Sequence, residues 1–234
     1  MAGDLKDSND RILAESVIVL REVVEHLSTA RWFLEGPWRA EASVVAASAH
    51  LRLAIEKIAL VSFIGHGSLT GDLFARTSVA KMSDVFKKLK KINPEFWPVP
   101  IRIEQRRGAP QQKRIVYLDE SFTQDAALKA WGLLSSHLHA YGRLRSPVST
   151  DAVLLGIASI GQEMQGLMES FEVSHSANGL ALIGRIGAGR APNLLWIKYS
   201  DPQGSDPVAS RIVNDVQMVR GESLFISNQQ PHDI

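Results

Sequence analysis

The chain has 234 residues, 45% of them hydrophobic and 22% charged, which is enough apolar material for a sizeable core and an ordinary globular composition. It has no cysteine, so disulfides, thiolate nucleophiles and cysteine-ligated zinc or iron–sulfur sites are excluded. The formal net charge of +1 conceals a basic segment over residues 81–114, where ten Lys and Arg stand against three Asp and Glu.

The first residues, Met1–Asp10, are polar and acidic and lack the basic and apolar regions of a signal peptide. The apolar stretch 44–64 is interrupted by His50, Arg52, Glu56 and Lys57, so it is not read as a membrane span. A cytoplasmic protein is expected.

Ser8, Asn9 or Asp10 is placed to cap a first helix from about Arg11 to Phe33. Leu13, Val17, Leu20, Val24 and Leu27 supply its apolar stripe. Gly36-Pro37 breaks it, and a second helix runs from about Trp38 to Ile64 with Val44, Ser48, Leu51, Ile55 and Ile58 inward. So short a joint makes the pair antiparallel. A shorter basic helix spans 78–92, burying Val79, Met82, Val85, Phe86 and Leu89 and presenting Lys87, Lys88, Lys90 and Lys91.

Pro94, Pro98 and Pro100 then end helical texture. The alternation in 101–104 and the β-branched run 114–118 predict a hairpin or extended loop at about 94–120 with Arg106 and Arg107 at its basic tip and Lys113 and Arg114 beyond. Ser121 or Thr123 caps the next helix, expected over about 123–142. Its apolar stripe is Ala127, Trp131, Leu134 and Leu138. A second stripe of Gly132, Ser135, Ser136, His139 and Arg143 is small and polar, suited to close approach of another backbone. A further helix covers about 150–171 with Val153, Ile157, Ile160, Met164, Leu167 and Met168 inward. Strands are expected at 180–186, 193–199 and 223–227, while 211–219 fits either a strand or a short helix. The fold expected is mainly α: an antiparallel bundle over residues 1–172 carrying the hairpin insertion, and a small β appendage over 173–234.

His137 and His139 sit two apart on a predicted helix. That places them roughly 200° apart around its axis, so they cannot share a metal. No other His, Asp or Glu spacing suggests a metal, and no glycine-rich loop opens a helix as a nucleotide site requires. No cofactor is expected. His139 is either a candidate acid–base group or a helix-end histidine hydrogen-bonded to a carbonyl or carboxylate. Arg52 and Glu56 make an i, i+4 pair on the second helix, which is either a surface pair that needs no function or, if the helix is buried in a bundle, a pair whose Glu56 is able to face His139; the sequence leaves both open. The basic segment 81–114 suits RNA or an acidic partner protein.

The run Ala49–Leu60 resembles the second helix of HEPN-like bundles, the small all-α domains of prokaryotic toxin–antitoxin, phage-defence and nucleotidyltransferase-partner proteins. The stretch Trp131–Gly142 is similar to their late helix, which a histidine closes. The resemblance covers about residues 10–172 and implies site positions at Glu56 and His139. Ribonuclease members carry an arginine separated from that histidine by four to six intervening residues, and Gly132, Leu133 and Leu134 stand at those positions instead. The resemblance therefore implies an RNA- or partner-binding module of a stress or phage-defence system that dimerises through the small face of the His139 helix. Two alternatives stand beside it. One is a metal-independent endoribonuclease using His139, with Arg143, Arg145 or Lys129 on the phosphate. The other is a structural subunit of a larger assembly.

Overall fold

The computed structural model describes residues 2–37, 41–64, 82–106, 109–119, 122–139, 149–175, 180–186 and 192–198. The chain is mainly helical with a small antiparallel sheet. The helices are α1 (Ala2–Glu35), α2 (Glu41–Ile64), α3 (Met82–Ile92), α4 (Gln124–Leu138) and α5 (Thr150–Glu169). The strands are β1 (Val99–Arg106), β2 (Ala109–Tyr117), β3 (Phe171–His175), β4 (Leu180–Arg185) and β5 (Asn193–Lys198).

Helix α2 is the hub. All five residues of its expected stripe are buried, and so are Ala47, Ala54 and Ala59, which carry too little bulk to hold a neighbour away. It packs against α1, α3, α4 and α5. Ser16, Leu20, Val23 and Ala30 of α1 are fully buried. Contacts between α1 and α2 run in opposite senses along the chain: Phe33 and His26 meet His50, and Glu22 meets Lys57. The two helices are therefore antiparallel, as the short joint requires.

Helix α3 buries Met82, Phe86 and Leu89. Phe86 packs with Phe96 and Trp97 at ring-centroid separations of 5.4 and 5.3 Å, within the range favourable for aromatic pairs. Trp97 donates Nε1–H to the carbonyl of Phe122 at 2.9 Å, which fixes the approach to α4. Of the two candidate caps for α4, Thr123 takes the role: its Oγ1 accepts from the Ala126 amide. Ser149 caps α5 in the same way. Each such cap contributes about 1 kcal/mol.

The sheet has the order β2-β1-β3-β4-β5, with every pair antiparallel. The hairpin and the C-terminal strands, separate pieces in the sequence, thus share one sheet. They join where Val99 pairs with Glu172 and Pro100 with Phe171. Tyr117 donates its hydroxyl to Glu172 Oε2 at 2.9 Å, so the buried Glu172 carboxylate ties β2 across β1 to β3. Phe171 also faces Gly184 across the β3–β4 ladder. A Cβ on Gly184 would run into Cζ of Phe171, so any larger residue there must displace that ring or the strand.

Four expectations need correction. Helix α1 begins at Ala2, not near Arg11, so Ser8, Asn9 and Asp10 lie within it and do not cap it. Side-chain capping propensity is a weak preference that a continuing helix overrides. Helix α4 ends at Leu138, and His139 adopts extended backbone as its C-cap, so the helix does not reach 142. Helix α5 stops at Glu169, because Phe171 onward pairs as β3. That strand, Phe171–His175, is an element the sequence pattern does not announce. The expected features at 65–81, 140–148 and 199–234, including the elements at 211–219 and 223–227, lie outside the described residues.

Candidate functional site

Glu56 sits on α2 one turn after Arg52, about one-third exposed. Its Oε1 accepts from Arg52 Nε at 3.1 Å and from the indole Nε1–H of Trp131 at 2.9 Å. The Arg52 guanidinium carbon lies 4.7 Å from the centre of the Trp131 ring, a cation–π distance. Three side chains from α2 and α4 therefore close on one another. The indole packs its body on the core while its N–H finds a carboxylate, the usual solution for a half-buried tryptophan. The arrangement locks α4 against α2.

His139 is not part of it. The ring lies exposed, one residue past the end of α4. Among the described residues, the hydrogen bonds of Glu56 go to Arg52 and Trp131 and not to His139. Of the two readings of this pair, the i, i+4 bond between Arg52 and Glu56 is present and the facing of Glu56 to His139 is not: the indole N–H of Trp131 bonds that carboxylate, and His139 stands exposed past the end of α4. Arg143 and Arg145, the candidate phosphate ligands, lie outside the described residues, while Lys129 is exposed on α4. The small face of α4 remains open. Gly132 and Ser136 are exposed, nothing stands within 4 Å of a Cβ built on Gly132, and Leu133 beside them is 48% exposed.

The basic segment takes a definite form. Lys87, Lys88, Lys90 and Lys91 are all exposed on α3, opposite the buried Met82, Phe86 and Leu89. Asp84 is the acidic residue of this helix, 4.0 Å from Lys87, and both are well exposed. A solvated pair of that kind is worth little and leaves the lysines' field in place. Beyond the Asn93 turn the chain enters β1, where Arg102 is exposed and bonded to Glu104 at 2.9 Å. Arg106 lies on β1, and Lys113 and Arg114 lie on β2; Gln105 pairs with Lys113 and Glu104 with Arg114. Arg107 lies outside the described residues.

Two further features emerge only in three dimensions. Nδ1 of His26 and Nδ1 of His50 meet at 3.1 Å between α1 and α2. Phe33 stacks on the far side of His50, with ring centroids 6.2 Å apart, and Lys57 pairs with Glu22 alongside. Burial holds the His26 imidazole below its ordinary pKa of 6.5, helped by the neighbouring His50 and then Lys57; Glu22 and Glu25 oppose this. The signal in the sequence is the spacing of Glu22, His26 and Phe33 on one helical face, matched by His50 and Lys57 on the next. The second feature is a cavity of about 380 Å³ between α1, α2 and α5, floored by Leu27, Leu51 and Met168 and rimmed by Arg31 and Gln165.

Among the described residues, no group of three or more His, Asp or Glu is placed to hold a metal ion. No described helix is long and apolar enough to cross a membrane. Comparison with protein-family models, curated proteins and solved structures finds no match to this chain.

Proposed function

We propose that this chain is a nucleic-acid-binding module of HEPN-like type, with RNA as its first expected ligand, acting in the cytoplasm. The observation that carries the reading is the exposed lysine face of α3. An amphipathic helix anchored by Phe86 and Leu89 holds four lysines in solvent within about one and a half turns. Their carboxylate neighbour on the helix is a weak solvated partner. The cationic sequence then continues into the β1–β2 hairpin at Arg102, Arg106, Lys113 and Arg114. A polyanion with evenly spaced charges suits such a cationic stretch of sequence, and each phosphate neutralised releases counterions.

The other half of the geometry supports binding over cleavage. Glu56 is committed to Trp131 and Arg52, and His139 stands exposed with neither as a partner. In this reading the open face of α4, with Gly132, Leu133 and Ser136, receives a second copy of the chain. The test is binding to total RNA by the purified protein, with and without chelator. Salt-sensitive binding with intact RNA supports the reading. Chelator-resistant cleavage that is lost in His139→Ala would replace it with the endoribonuclease, and absence of binding would leave the lysine face as a solvated surface.

A further inference from the structure

We propose that His26 and His50 form a pH-operated clasp between α1 and α2, in which the two imidazoles share one proton near neutral pH and part when both are protonated. A neutral imidazole carries one N–H and one bare nitrogen. Two Nδ1 atoms at 3.1 Å make a hydrogen bond only if one bears the proton and the other is bare. Adding a proton to the bare nitrogen removes the acceptor, makes that ring an imidazolium and sets two N–H donors against each other in a half-buried position. The contact then changes from a hydrogen bond to a repulsive donor–donor contact, and a second proton, on the remaining bare nitrogen of the other ring, makes it a like-charge pair.

The surroundings oppose the second charge. On α2, Lys57 adds a positive charge on the same side. On α1, Glu22 and Glu25 favour protonation, but Glu22 is already engaged by Lys57. Phe33 stacks on His50, which is partly buried. Burial therefore outweighs the carboxylates at His26, whose pKa is lowered.

The sign follows from linkage. In the unfolded chain His26 titrates near its ordinary 6.5, and in the folded chain it titrates lower. Between those values the unfolded state binds more protons, so stability falls as pH drops below 6.5 and is fully present above it. For one proton the unfolding equilibrium constant rises by up to about tenfold per pH unit within that window. The clasp joins α1 and α2, the two longest described helices, so its release loosens the pairing on which the α2 hub rests.

The test is urea unfolding at pH 7.5 and pH 5.0 of the wild-type chain, His26→Gln and His50→Gln, with an NMR titration of the wild-type His26 ring. An amide keeps a hydrogen-bonding group at each site and removes the titration. The wild type is expected to lose stability on acidification more steeply than either variant, and the His26 ring is expected to titrate below 6.5. The comparison is of pH slopes, so a uniform loss of stability in a variant does not affect it. If neither variant folds, the NMR titration decides. Parallel pH slopes, or a His26 ring titrating at or above 6.5, would overturn the clasp. So would a midpoint that falls on adding chelator, which would assign the two nitrogens to a bound metal.

Discussion

Trp131 and Glu56 are joined across the α2–α4 interface by an indole N–H···Oε1 bond of 2.9 Å, and the same oxygen holds Arg52. This makes Glu56 a structural acceptor. Trp131→Phe keeps most of the ring packing and removes the donor, so it is expected to cost about 1–2 kcal/mol in chemical denaturation, as for a hydrogen bond to a charged group. Glu56→Ala strands a half-buried indole N–H and unpairs Arg52, with an expected cost of about 1–3 kcal/mol. Neither change is expected to alter RNA affinity at a temperature where the variant is folded. A large loss of binding in folded Glu56→Ala would return this carboxylate to the functional site.

Gly184 and Phe171 make a second specific pair. A methyl at 184 would enter the Phe171 ring, so the ring must leave its rotamer or the strands must separate. Gly184→Ala is expected to destabilise by about 1–3 kcal/mol. Combining it with Phe171→Leu, which removes the obstructing ring, should make the glycine substitution cheaper than it is alone. Additive costs in that double-mutant cycle would show that the close approach is unimportant.

His139 lies in solvent past the end of α4. Substituting an exposed residue away from packed contacts changes stability by less than about 0.5 kcal/mol. His139→Ala should therefore match the wild type in thermal unfolding and in RNA binding. A loss of more than about 1 kcal/mol would mean that this ring is packed or bonded in a way its exposure does not suggest.

What can be read from the sequence follows from which interactions are local. The α2 stripe Val44, Ser48, Leu51, Ile55, Ile58 repeats within one helix, so its burial is legible, as are the Thr123 cap and the hairpin alternation. Strand β3 is not. Phe171-Glu172-Val173 continues the apolar run of α5, and only pairing with β1 and β4 makes it a strand. The end of α4 is equally hidden, because the next glycine is Gly142 and the break comes four residues earlier. At the candidate site, Glu56 stands out as a charge on an apolar helix. Its partner does not, since where α4 ends and how it is staggered along α2 decide that Trp131 and not His139 reaches it. His26 and His50 are 24 residues apart, and their meeting depends on the stagger of α1 on α2.

The central claim is that the lysine face of α3 holds nucleic acid. The most direct measurement is RNA affinity across a salt series for the wild-type chain and for a variant with Lys87, Lys88, Lys90 and Lys91 all changed to Gln. These four side chains are exposed, so the variant is expected to fold as the wild type does. Binding by the wild type should weaken steeply with salt. The variant should bind more weakly, and its slope of log K against log salt should be shallower by about 0.7 for each single-strand phosphate it no longer neutralises. Affinity and salt slope unchanged in the variant would contradict the claim.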